Sequence, residues 1–375
     1  MKTNTQSQKR DSNLELYRII TMMLIIAHHY VVNSGLTTVI FQKPSSWKSI
    51  FLLIFGAFGK TGINCFLLIT GYFMCKSQIT CKKFVKLFLE VIFYNILFYT
   101  IFLVAGYTSF TITSFVKSIF PINNIAQNFT GCYLVFFLFI PFLNKLIHSL
   151  NQKQHLYLIL LCSFTYIFMG TMPLFNVTMN YVSWYIVLYF IASYIRLYPT
   201  KIFNNTKLWG ILSIISILLL ITSIFGCTWI GTKLNKFMSY RFAEDSNTFL
   251  AVSTAITSFL FFKNIKIKYN KIINLFAAST FGVLLIHAAN NSMRKWLWKD
   301  VLNNVGMYHS KYMPLHAIGS ILGIFIICTI IDILRIKYIE TPFFSFWDKH
   351  YEKIKNKFLK FENKILSKIG IPNNN

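Results

Sequence analysis

Asn13-Leu-Glu-Leu-Tyr-Arg-Ile-Ile-Thr-Met-Met-Leu-Ile-Ile-Ala-His-His-Tyr30 decides how this chain is read. An apolar run of this length matches the roughly 20 residues that a helix needs to cross a bilayer. It nevertheless carries Glu15, Arg18, His28 and His29, and ionisable groups within a span are costly enough to be functional candidates by default. Eleven steps of about 100° bring His29 to within roughly 20° of the face of Arg18, whereas His28 points about 80° away. The rise between Arg18 and His29 is about 16 Å, half the hydrocarbon thickness. Arg18 therefore belongs near one headgroup layer and His29 near mid-membrane. This suits a phosphate-bearing cofactor entering from the cytoplasm. Its phosphates would lie low, on a permanently charged guanidinium, and its reactive end high, beside an imidazole able to take a proton. The spacing alone fits equally well an Arg at the cytoplasmic edge and a His bonded to a neighbouring helix.

Outward from this stretch the pattern repeats. Of 375 residues, 55% are hydrophobic and 13% charged, and Phe alone accounts for 39. A soluble domain carries about twice that charged share. Apolar windows fall at 14–34, 51–75, 84–106, 131–149, 155–173, 180–196, 207–230, 246–262, 272–292 and 313–338. The expectation is an all-α, polytopic membrane protein with about ten transmembrane helices. The 37 Lys and Arg against 11 Asp and Glu could suggest a nucleic-acid binder, but topology accounts for them better. With the N-terminus in the cytoplasm, 26 basic residues fall inside and 11 outside, which obeys the positive-inside rule. An even number of spans keeps the basic tail inside, so both termini are expected in the cytoplasm of a cell-membrane protein. No nucleic-acid partner is expected; the lipid bilayer is.

The expected divisions are a cytoplasmic N-terminal segment (1–13), a transmembrane domain (14–345) and a basic cytoplasmic tail (346–375). Lys2, Lys9 and Arg10 precede the first apolar run as in a secretory signal, but Arg18 and the two histidines interrupt it, so cleavage is not expected. The basic stretch after Glu340 carries Phe343, Phe344, Phe346, Trp347, Ile354 and Phe358 among its lysines and suits the anionic inner leaflet. The seven cysteines form no CxxC pair, so neither a metal centre nor a disulfide framework is implied. Phosphate loops, HExxH and GxSxG are absent, and no inverted pair of broken helices suggests a transporter.

The motifs taken together resemble the membrane acyltransferase-3 family, which is rich in O-acetyltransferases. The resemblance rests on Arg18 and His29 with ten residues between them, and on Gly62-Ile-Asn-Cys-Phe-Leu-Leu-Ile-Thr-Gly-Tyr-Phe73, with Thr70 where the family's segment has Ser. Trp184-Tyr185, Leu285-Ile286-His287 and Glu340-Thr-Pro add to it, and it extends over about residues 12–345. It implies transfer of an acyl group, usually acetyl, from cytoplasmic acyl-CoA (acetyl-CoA) to a hydroxyl of an envelope glycan or its lipid-linked precursor. It also implies catalytic roles for His29 and Arg18, with no metal and no tightly bound cofactor. Some branches carry two Arg three residues apart at the start of the third span. Lys83 and Lys86 hold that spacing here, which keeps a phosphate-binding charge but not the bidentate fork.

The supporting residues are less determined. Glu15 lies one turn from Arg18 and is expected to pair with it. Glu90 fits either a partner for His29 or a helix-packing acid. His287, with Asn290 and Asn291, fits an acceptor-sugar contact or a polar helix end at the interface. Asp332 and Arg335, three apart, should pair. The rival function is a carrier or flippase exporting a glycan or lipid-linked sugar; a sensor or scaffold would leave the mid-membrane His unexplained.

Overall fold

The computed structural model describes residues 11–122, 126, 128–175 and 177–368. Lys2, Lys9 and Arg10, the rest of segment 1–10, the last seven residues of the tail, and the side chains of Ile354 and Phe358 lie outside the described residues. The described chain is all-α. Its main helices are α1 (Ser12–Val32), α2 (Trp47–Met74, interrupted near Gly56), α3 (Cys81–Val104), α4 (Phe129–Ser149), α5 (Gln152–Thr171) and α6 (Tyr181–Leu197). They continue with α7 (Thr206–Leu234), α8 (Phe249–Asn264), α9 (Lys271–His287), α10 (Met313–Arg335) and α11 (Thr341–Lys368). Among the described residues seven helical stretches are long and apolar enough to cross a membrane, or eight when α9 is joined to the bent segment that follows it. The protein is therefore a multi-pass membrane protein. Helices α6 and α8 are apolar but shorter, at 17 and 16 residues.

Each of the ten apolar windows corresponds to one of α1–α10, within a few residues. Asparagine caps explain several of the starts. Asn128, Asn151, Asn180, Asn205 and Asn270 each accept a hydrogen bond from a backbone N–H of the first turn of α4, α5, α6, α7 and α9, satisfying donors that a helix start leaves open. Asn151 and Asn205 thereby separate windows that composition alone would nearly fuse.

The chain divides into two units, Met1–Thr329 and Ile330–Asn375. In the first, α1 packs on α2, α8 and α9, while α6 packs on α2, α4 and α5. Met22, Ile26 and Tyr30 of α1 and Trp184, Tyr185 and Tyr189 of α6 are completely buried. Gly71 lets α2 approach α6 closely: a Cβ there would stand 2.8 Å from the Ala192 methyl. A polar tie crosses the core where Asn64 accepts from Trp184 Nε1 (2.9 Å) and donates to the Ser246 carbonyl (2.6 Å), so its buried amide has a partner at each end. Outward, α7 presents Ile211, Ile214, Leu218 and Leu219, the apolar surface expected where lipid replaces water.

In the second unit the expected Asp332–Arg335 pair is present and gains a third member. Arg335 donates from Nε to Asp332 (2.8 Å) and from Nη1 to Glu340 (2.9 Å), with all three side chains buried. A π-helical turn over Ile336–Glu340 brings Glu340 beneath the guanidinium, five residues on.

Candidate active site

Two polar clusters lie along α1, one near each end. At the Ser12 end, Glu15 is buried (5% exposed) and accepts from Arg18 Nη1 at 2.8 Å. Across from them, Tyr133 of α4 exchanges a hydrogen bond with Thr70 of α2 (3.3 Å) and lies within electrostatic reach of both Arg18 and Glu90. Arg18, Glu15, Thr70, Tyr133 and Glu90 thus share one region of the bundle, drawn from α1, α2, α3 and α4.

Lys83 is elsewhere. Its exposed ammonium donates to Ser77 Oγ (2.8 Å) and the Gln78 carbonyl (2.7 Å), tying down its own loop. Lys86, one turn on, is also exposed.

Near the other end of α1, His29 meets His287 of α9, with Nδ1 and Nε2 3.0 Å apart. His287, the last residue of α9, is 1% exposed. His287 Nδ1 lies 2.6 Å from the Val283 carbonyl one turn earlier. A carbonyl only accepts, so Nδ1 carries the proton and neutral His287 presents a bare Nε2. That nitrogen accepts from His29 Nδ1–H, which leaves the lone pair of His29 on Nε2. The relay Val283 C=O, His287, His29 fixes one tautomer through local geometry. His287 occupies Nδ1 of His29, and Glu90 lies within electrostatic reach of Tyr133.

His29 lines a cavity of about 870 Å³. The cavity is bounded by the C-terminal halves of α1, α3 and α9, the starts of α4 and α6, and the Gly59–Ile63 turn of α2. Its α1 wall is Ile25, His29 and Val32, which are 7, 11 and 14 residues beyond Arg18 and so on its stripe of the helix. His28 also lines the cavity, although rotation places it about 80° off that stripe. It does so because Gly59 has no side chain: a Cβ there would overlap the His28 ring. His28 Nδ1 donates to the Gly56 carbonyl at 2.7 Å.

The expected straight span at 272–292 is broken. The helix stops at His287, and a new segment, Asn291–Lys295, capped by the Asn290 side chain, leaves at 91°. The bend carries Arg294 to the cavity wall. Sequence reading passed over Arg294, Lys60, Asn33 and Tyr181, which also line it. The one available signal was Lys60, a charge set between apolar runs in Phe58-Gly-Lys-Thr-Gly-Ile63. Among the described residues no three His, Cys, Asp or Glu side chains come together as a metal set.

The structure is thus a polytopic helical bundle with a histidine pair beside a large cavity. The chain matches the family model described as Acyltransferase domain (Acyl_transf_3) over residues 11–333. It belongs to that family of membrane acyltransferases. No curated protein and no solved structure matches it.

Proposed function

We propose that this chain transfers an acyl group, normally acetyl, from cytoplasmic acyl-CoA to a hydroxyl of an envelope glycan or its lipid-linked precursor, with His29 as the general base. The observation that carries this reading is the hydrogen-bonded series from Val283 through His287 to His29, beside a cavity large enough for a sugar. His29 Nε2 takes the proton of the acceptor hydroxyl as its oxygen attacks the thioester carbonyl. The C–S bond breaks, and His29 returns the proton to the departing CoA sulfur. While His29 is doubly protonated, His287 Nε2 continues to accept from Nδ1–H and stabilises the imidazolium, as an orienting partner does in acyl-transfer triads.

Arg18, about 16 Å along the same stripe, would hold CoA phosphates. Lys83 and Lys86 would add charge at the cytoplasmic mouth, with Lys83 exchanging its loop contacts for phosphate. Glu15 would orient Arg18. With the two shorter apolar helices α6 and α8 counted as spans beside the seven long helices and the bent α9, the chain would cross the membrane ten times. Both termini would then lie in the cytoplasm, residues 14–345 would form the catalytic domain, and 346–375 would rest on the anionic leaflet. A carrier would need neither a fixed tautomer nor an Arg aligned with it.

The test is incubation of the full chain, purified into liposomes, with labelled acetyl-CoA and fractionated envelope glycans. Label moving to a glycan hydroxyl is expected. Transport of glycan without transfer would instead support the carrier. Reporter fusions at the N-terminus and after Lys368 test the topology, and an extracytoplasmic signal from either would contradict it.

A further inference from the structure

The cavity beside His29 is strongly one-sided in charge. Lys60, Lys117 and Arg294 line it, and among the described residues no Asp or Glu does. Lys60 is partly matched: it donates to Tyr181 Oη (2.8 Å) and approaches Asp245 at 3.4 Å. Arg294 has a different character. Its Nε–H has no hydrogen-bond partner among the described residues. A lining with three cations and no carboxylate among the described residues suits an acceptor-rich, anionic group. Lys60 and Arg294 both lie within electrostatic reach of the His29 ring, and a low-dielectric wall strengthens their pull on an anion. Arg294 reaches this position only because of the 91° break after His287, so the bend that ends α9 also supplies the charge.

We infer that the cavity binds an acceptor carrying a negative charge, a phosphate or carboxylate, next to the hydroxyl presented to His29, with Arg294 as the specificity-determining residue. This rests on the acyltransferase reading above and names the substrate class for that same site. Arg is suited to the task because its planar fork meets carboxylate and phosphate oxygens in pairs.

The experiment measures binding separately from transfer. The full chain in neutral-lipid nanodiscs is titrated with maltose against maltose 1-phosphate, and with cellobiose against cellobiouronate. At least one charged sugar is expected to bind ten-fold or more tightly than its neutral partner. Arg294→Gln should remove that preference, Arg294→Lys should restore part of it, and His29→Ala should keep it. Equal binding of charged and neutral sugars, no binding of either charged sugar, or an unchanged preference in Arg294→Gln would overturn the inference. Transfer assays with acetyl-CoA and succinyl-CoA form a second arm. If Arg294→Gln impairs only the use of succinyl-CoA, the charge is read on the acyl group and the inference fails. Charge-selective binding with no acyl transfer to any acceptor would instead retire the acyltransferase chemistry while leaving the anion site standing. Efficient transfer to neutral glycans would do the reverse.

Discussion

His29 and His287 are separated by 258 residues of sequence and by 3.0 Å in space. The contact joins α1 to the last turn of α9, and the Val283 carbonyl behind it dictates which nitrogen of each ring carries the proton. In this account His287 acts through His29.

The first prediction separates that role from simple packing. His287→Ala leaves His29 Nδ1–H without an acceptor, a loss worth about 1–3 kcal/mol, or roughly ten- to a hundred-fold in rate. His287→Gln supplies an amide oxygen in its place and should recover part of the rate. The loss should fall on kcat, with KM for acyl-CoA little changed. Equal defects in Ala and Gln variants of matched stability would remove the orienting role.

Arg18 and Glu15 must be tested as a pair. Removing one member of a buried ion pair costs about 3–5 kcal/mol. The 22% exposure of the Arg18 side chain puts this pair at or below the lower end of that range. Arg18→Ala should therefore lower thermal stability as well as acyl-CoA affinity, whereas Glu15→Gln with Arg18→Ala should restore stability and leave affinity low. One lost charge-assisted bond to phosphate is about 1.5–3 kcal/mol, ten- to a hundred-fold in Kd. Normal CoA binding by a well-folded double variant would end the phosphate role.

Arg335 offers a structural contrast. Its guanidinium serves Asp332 and Glu340 at once, and Asp332 is completely buried. Arg335→Ala should reduce the yield and melting temperature of the full chain by the cost of stranding buried carboxylates, about 3–5 kcal/mol. Arg335→Lys, which keeps charge but cannot reach both partners with a planar fork, should fall between. Activity per folded molecule should change little. A full-strength, fully stable Arg335→Ala protein would contradict this.

Much of the scaffold was legible because its cues are local. Ten apolar windows mark ten helices, and the Glu15–Arg18 and Asp332–Arg335 pairs follow from a spacing of three on a helix. The site itself was less so. His287 reaches His29 through the packing of α1 on α9, and Asn64 reaches Trp184 across 120 residues; no period in the sequence encodes either meeting. Glu340 joins Arg335 through a π turn that an α-helical count puts out of register. Arg294 reaches the cavity through the break after His287. His28 faces the cavity only because Gly59 yields the space. Helical rotation is a sound guide to one helix's faces, but the shape of the neighbouring helix decides which of them open onto a cavity.

The central claim is that His29 Nε2 is the base, and its neighbour provides the sharpest test. His28 and His29 are alike in chemistry and depth, and both line the cavity. Only His29 has its proton placed by a second histidine and shares the stripe of Arg18. Acyl transfer from labelled acetyl-CoA should be measured for His28→Ala and His29→Ala at matched levels of folded protein, with CoA binding as the control. Losing a general base costs about a hundred- to ten-thousand-fold, so His29→Ala should bind CoA and transfer nothing measurable. His28→Ala should stay within about ten-fold of wild type, roughly 1.4 kcal/mol in barrier. Equal activity in the two variants, or a deeper loss in His28→Ala, would contradict the account.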